Sequence, residues 1–163
     1  MSDNYRKNCY KKILDASSVY DIAIKSPMQF APKLSSKLKN KIYIKREDLQ
    51  PVFSFKLRGA YNKISKIKNP KHIVAASAGN HAQGVAMSCK KLNMPSSSVM
   101  PSTTPSIKVN AVKKYGSKVI LYGDTYDEAY QYAIKFSKKN NFNFVHPYDC
   151  LLYTSPSPRD SAL

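Results

Sequence analysis

An α/β fold built on a parallel sheet is what this 163-residue sequence predicts. Three observations carry the prediction. From residue 72 onward, short apolar runs alternate with amphipathic stretches, giving strand, helix, strand, helix, strand, helix, strand. The run His72-Ile73-Val74-Ala75-Ala76 is apolar enough to be a strand buried on both faces. Helix start and stop signals fall between the runs, where such a sheet needs them.

The elements follow in order. Residues 1–40 are polar with short apolar clusters, and Val19, Ile22 and Ala23 sit at helical spacing before Ser26-Pro27 ends that segment. Ile42-Tyr43-Ile44 reads as a short strand. Residues 58–68 read as a helix, with Ala60, Tyr61, Ile64 and Ile67 on one face. After the strand at 72–76, a helix is expected over 81–92 with Val85, Ala86 and Cys89 inward. Ser98-Val99-Met100 is a strand stopped by Pro101. Thr104 can cap a helix with Pro105 at its first position, and Gly116 suits the end of that helix. Ser117–Tyr122 is the next strand. Thr125-Tyr126-Asp127-Glu128 matches a capping box, and Ala129, Tyr132, Ala133 and Phe136 make the apolar stripe behind it. Asn143-Phe144-Val145 is the last strand.

Composition bounds the function classes. The chain has room for one ordinary domain, and no run approaches the ~18 apolar residues of a membrane span. Cys9, Cys89 and Cys150 lack metal-ligand spacing, so no metal is expected, and a reducing cytoplasm suits them. The net charge of +17 admits a nucleic-acid partner. However, the cations are nearly all Lys, with only Arg6, Arg46, Arg58 and Arg159, and they are scattered. Nucleic-acid sites favour Arg for its planar fork. The codon bias of an AT-rich genome accounts for the Lys better, and no nucleic-acid or membrane partner is expected. The last fourteen residues break the pattern. This Ser/Pro-rich tail reads either as a flexible linker or, as favoured here, as a string that resembles a translated sequencing adapter. On the second reading the native protein continues past Asp149.

Two segments carry candidate chemistry. Lys56 stands among Phe53, Phe55 and Leu57, with Gly59 close behind. A lysine in so apolar a segment can be desolvated and reactive; a solvated surface lysine is the other reading. Ser77-Ala78-Gly79-Asn80-His81-Ala82-Gln83-Gly84 lies between a strand and a helix, beyond a strand's carboxyl end, where parallel sheets bind ligands. Small residues at a helix start suit a carboxylate or phosphate. A helix cap made by Ser77 or Asn80 is the alternative. The glycine spacing is neither a dinucleotide fingerprint nor a phosphate-binding P-loop.

Together these segments identify a resemblance. The stretch from Lys45 to Asn62, with Ser54-Phe55-Lys56-Leu57-Arg58-Gly59 at its centre, resembles the cofactor-lysine segment of the threonine dehydratases. Ser77–Gly84 resembles their substrate loop. Met100-Pro101, Ile107-Lys108 and Pro147-Tyr148-Asp149 are similar to family residues, and Ser26-Pro27-Met28-Gln29 stands where the family has Thr-Pro-Leu. The resemblance covers residues 17–149 and is nearer to the biosynthetic form than to the catabolic form or serine racemase.

The resemblance implies a pyridoxal-phosphate enzyme of fold type II, like the tryptophan synthase β subunit, here incomplete. Residues 1–57 would belong to the large cofactor domain and 58–149 to the small α/β domain with the substrate loop. Residues 150–163 would be a non-native or disordered tail. Lys56 would hold pyridoxal 5′-phosphate as a Schiff base and move the α-proton. Asn80 would bond the cofactor's 3′-oxygen, and Phe55 would pack beside its ring. Ser77, Gly79, Asn80 and His81 would hold the carboxylate of L-threonine, or of L-serine. The full protein would be a homo-oligomer, a tetramer in this family. The family's glycine-rich phosphate loop is not found among Gly59, Gly79, Gly84, Gly116 and Gly123. The chain as it stands is therefore expected to hold cofactor poorly, and residues 1–57 to have little to pack against.

Overall fold

The computed structural model describes residues 18–147, together with Lys7, Tyr10, Lys11 and Leu14. Tyr148, Asp149 and the tail at 150–163 lie outside the described residues, as do Cys9 and Cys150. The first strands form a two-stranded antiparallel ribbon: β1 (Met28–Phe30) pairs with β2 (Tyr43–Lys45) around helix α1 (Pro32–Leu38). A 3₁₀ turn at Glu47–Leu49 leads to α2 (Lys56–Ile64). The main body is β3 (Ile73–Ala76), α3 (Asn80–Lys91), β4 (Ser96–Met100), α4 (Ser106–Lys113), β5 (Lys118–Leu121), α5 (Tyr126–Asn140) and β6 (Asn143–Phe144).

The four strands β3–β6 form one parallel sheet in the order β5-β4-β3-β6. Strict alternation along β3 divides the core. Ile73 and Ala75 face α2 and α3, where they pack with Ala60, Ile64, Val85, Cys89 and Val145. Val74 and Ala76 face α5, with Val99, Ala129 and Ala133. A third cluster, Ala82, Ala86, Met100, Val109 and Val112, seats α4 beside α3. The sheet is thus covered on both faces, as a parallel sheet requires. Burial pushes the Cys89 thiol up to about 12, so it sits in this core as a small apolar group.

The expected strand–helix succession is present, and its boundaries differ for identifiable reasons. β4 begins at Ser96, two residues before its expected start. Its serines are buried with their hydroxyls paired, Ser97 to His72 at 2.9 Å and Ser98 to Ser117 at 3.2 Å, so a polar run becomes interior strand. The helix expected over 58–68 runs instead from Lys56 to Ile64. Residues 20–22 form only a turn, closed by Ala23 N–H donating to the Val19 carbonyl. Thr104 does not cap α4; its residue before the first turn is Pro105, and no side chain closes it. The capping box at Thr125 is as expected. Glu128 Oε2 accepts from the Asp124 and Thr125 N–H groups at 2.8 and 3.0 Å. Gly123, at φ 67°, makes room for it: a Cβ there would meet Glu128 Cβ at 2.5 Å.

The described part of 18–57 finds more to pack on than expected. Ala23 and Val52 join the buried Leu57, with Val19, Ile22, Met87 and Tyr115 against them. The ribbon itself keeps Met28, Phe30, Tyr43 and Ile44 exposed.

Candidate active site

In the sheet, β3, β4 and β5 step outward in one direction, and β6 returns to the other side of β3. Loops leaving the carboxyl ends of β3 and β6 therefore diverge, and the crevice between them is where such sheets bind ligands. Both candidate segments converge on it. Ser77–Gly79 is the loop leaving β3, and Val145–Pro147 leaves β6. Lys56, the first residue of α2, sends its Nζ to donate to the Pro147 carbonyl at 3.1 Å. His81 Nε2 lies 3.1 Å from the Val145 carbonyl. A carbonyl only accepts, so Nε2 carries the hydrogen.

The start of α2 holds Lys56 in place. Ser54 Oγ accepts the Lys56 N–H at 3.2 Å, which secures a donor otherwise left open at the helix start. The Lys56 ammonium lies 5.4 Å from the centre of the Phe55 ring. Of the three apolar neighbours expected to desolvate Lys56, only Leu57 is buried. Phe55 is 45% exposed and Phe53 is 77% exposed. Phe53 also sits at φ 54°, an uncommon conformation for a bulky residue. Its N–H donates to the Gln50 carbonyl at 2.7 Å, and this turn brings the chain into α2.

The loop after β3 is not closed by a side-chain cap. The residue before α3 is Gly79, no side chain caps the helix, and Ser77 Oγ instead accepts the Gly79 N–H at 3.1 Å. A Cβ on Gly79 would meet nothing within 4 Å, so open space lies beside the first turn of α3. Asn80 is exposed at that turn. His81 points inward and is 3% exposed. Burial pushes its imidazole down to about 4, the Val145 hydrogen bond partly opposes this, and the charges of Lys56 and His146 add to the depression. His81 is therefore neutral at neutral pH. Lys56, Phe55, Ser77, Gly79, Asn80 and His81 thus gather at one end of the sheet.

The sequence reading missed the second layer of this site. Glu47 and Arg58 form an ion pair at 2.7 Å behind Lys56, and Gln50 joins it. Residues eleven apart across a 3₁₀ turn and a loop leave no periodic signal. The carbonyls of Val145 and Pro147 were also missed, although the position of the last strand could have pointed to them.

A parallel sheet thus carries, at its switch point, a primary amine and a helix start that no side chain caps. The family model of pyridoxal-phosphate dependent enzymes matches residues 19–156, and the chain belongs to that family. A chloroplastic biosynthetic threonine dehydratase from Solanum lycopersicum is 52% identical over 137 residues, which is 82% of this chain and 23% of the relative. The biosynthetic L-threonine dehydratase of Pasteurella multocida is 50% identical over 143 residues, 86% of this chain and 28% of the relative. The processed form of threonine deaminase isoform 2 from Solanum lycopersicum superposes with a TM-score of 0.84 at 46% identity, over 94% of this chain and 43% of that one. The chain thus spans about a quarter of the length of these curated relatives.

The residues present fit the aldehyde side of pyridoxal phosphate, while the five glycines of the sequence include no glycine-rich loop for its phosphate. The cofactor is an aldehyde that a primary amine can hold, and Lys56 supplies one beside the segment that leaves β6. Its ring and substituents need space and hydrogen-bond donors, which the open side of Gly79 and the first turn of α3 offer. Among the described residues, no helix is long and apolar enough to cross a membrane, and no group of His, Cys, Asp and Glu could hold a metal ion.

Proposed function

We propose that this chain is part of a threonine dehydratase, which converts L-threonine to 2-oxobutanoate and ammonia in the biosynthetic direction that leads to isoleucine. The observation that carries the reading is the convergence of the Lys56 amine and the uncapped α3 start at one switch point. The names of the relatives at about 50% identity support it. When bound, the cofactor supplies an electron sink that makes the α-hydrogen of an amino acid acidic.

Each residue then has a part. Lys56 would hold the cofactor through its amine, and the same amine would move the α-proton. Ser77, Gly79, Asn80 and His81 hold the substrate carboxylate at the start of α3, where the N–H groups and the helix dipole favour an anion. Asn80 would bond the cofactor's 3′-oxygen, and Phe55 would pack beside its ring. His81 would contribute to the carboxylate site through its backbone N–H; its imidazole is buried and neutral, so the ring serves as a hydrogen-bonded support and not as a base. Residues 1–57 belong with the larger cofactor domain, a reading supported by the exposed apolar face of the β1–β2 ribbon. The whole enzyme is a homo-tetramer in a reducing, cytoplasmic setting; light scattering and cell fractionation test both statements.

The deciding experiment replaces Lys56 with Ala in the holoenzyme. The visible absorbance of lysine-bound cofactor and the formation of 2-oxobutanoate from threonine should both disappear. Normal turnover in that variant overturns the assignment of Lys56. Formation of D-serine from L-serine, without 2-oxobutanoate from threonine, would point to a racemase instead.

A further inference from the structure

Arg58 lies two residues beyond Lys56, about 200° round the helix, so the two side chains leave α2 on opposite sides. Lys56 reaches forward to Pro147. Arg58 reaches back to Glu47 through two parallel bonds, Nε to Oε2 at 2.7 Å and Nη2 to Oε1 at 2.9 Å. Their side chains are only 22% and 17% exposed. Glu47 also accepts from the Ser26 hydroxyl, and from Gln50 Nε2 at 3.2 Å. Gln50, 1% exposed, exchanges two hydrogen bonds with the Ile24 backbone at 2.9 and 3.0 Å, and Arg58 Nη2 adds a third to the Ile24 carbonyl at 2.9 Å. Burial alone would raise the Glu47 carboxyl, but the Arg58 and Ser26 bonds and the Arg58 charge outweigh it and hold it below the usual range. The pair is therefore ionised at neutral pH. On the other side of α2, Gly84 presses against the peptide joining Lys56 to Leu57.

We propose that the Glu47–Arg58 pair is a positioning device that sets where the Lys56 amine points. It touches neither cofactor nor substrate and acts through the rotation of the first turn of α2. The inference rests on the reading of Lys56 as the reactive amine. The lever is long: the helix radius plus an extended lysine puts Nζ ~8 Å from the axis, so a ~10° rotation moves it ~1.4 Å. A displacement of about 1 Å in a reacting group costs about 100-fold in rate. A half-buried ion pair adds little net stability against an apolar replacement, whereas a bidentate fork fixes an orientation.

The test uses the purified holoenzyme with Arg58→Lys, Glu47→Gln, Glu47→Arg, and the exchange Glu47→Arg with Arg58→Glu. Lysine keeps the charge and loses the fork. Arg58→Lys and Glu47→Gln should each lower kcat by about ten- to a hundredfold with KM within about twofold, the loss that a misplacement of this size implies. Cofactor absorbance per subunit should stay at the wild-type level. A readout apart from turnover is the rate at which cofactor-free protein takes up pyridoxal phosphate, followed by growth of the visible band. It should slow severalfold at unchanged final amplitude. The exchanged pair should recover most of the kcat that Glu47→Arg alone loses. Wild-type kcat and uptake rate in Arg58→Lys overturn the proposal. So does a loss of turnover that merely tracks lost cofactor or lost folded protein, because the pair would then only support the fold. Turnover retained in Lys56→Ala is a different result, and it removes the Lys56 assignment itself.

Discussion

Adding one methyl group at Gly84 sets two opposed effects against each other in a helix. Alanine is the better helix former, and in the interior of α3 it should stabilise by about 1 kcal/mol. The structure places the new Cβ 3.2 Å from Leu57 N, Lys56 C and Lys56 O, against an ordinary contact of 3.4–4 Å. These are three backbone atoms at one peptide link, so no side chain can swing aside. α2 must retreat by a few tenths of an ångström from a helix it packs against closely. Overpacking of this kind costs about 1–3 kcal/mol, so Gly84→Ala should be destabilised by about 1 kcal/mol net. Urea unfolding followed by circular dichroism measures it as a lower midpoint at unchanged slope. Because the displaced peptide carries Lys56, turnover should fall further than the loss of folded protein explains. A variant more stable than wild type by the full helix-propensity gain would refute the reasoning, since the α2–α3 contact would then be loose.

Two other expectations follow from single residues. Thr125→Ala removes the hydroxyl that accepts the Glu128 N–H and should cost about 1 kcal/mol, while Thr125→Ser should stay near wild type; equal urea midpoints for the two would contradict the capping account. His81 has a folded pKa of about 4 against an unfolded value of about 6.5, so the unfolded chain binds the extra proton first. Its contribution is complete above about pH 6.5 and is lost as pH falls toward about 4, on the order of 3 kcal/mol in all. Denaturation curves at several pH values should show this acid loss in wild type and a much flatter profile in His81→Gln. The same slope in both proteins would mean that another group causes it.

The parallel sheet was legible in the sequence because its signals are local. Two-sided burial makes β3 a continuous apolar run, and the Thr125-to-Glu128 box closes within one helical turn. The candidate residues were legible for a related reason. Lys56 and the Ser77–His81 loop each sit in a short stretch whose chemistry is unusual for its setting. β2 was expected, one residue early, at Ile42–Ile44, but its partner β1 and helix α1 were missed. The pairing of β1 with β2 joins residues some fifteen apart across a polar segment, and their apolar faces are exposed, so no burial pattern marks them. β4 was read short because serine is a poor strand former until its hydroxyls find partners such as His72 and Ser117.

By itself the sequence determined the class of fold, the order of its elements and two candidate segments, one with the Lys56 amine and one at a helix start. Only the tertiary structure decided that β6 returns beside β3. That return creates the switch point, and it brings the carbonyls of Val145 and Pro147 to His81 and Lys56 across 64 and 91 residues of chain. It also decided that Glu47 and Arg58 meet behind Lys56. Local periodicity specifies which residues are buried within one element. It carries no information about which ends of distant elements coincide, because that is set by how the layers pack around β3.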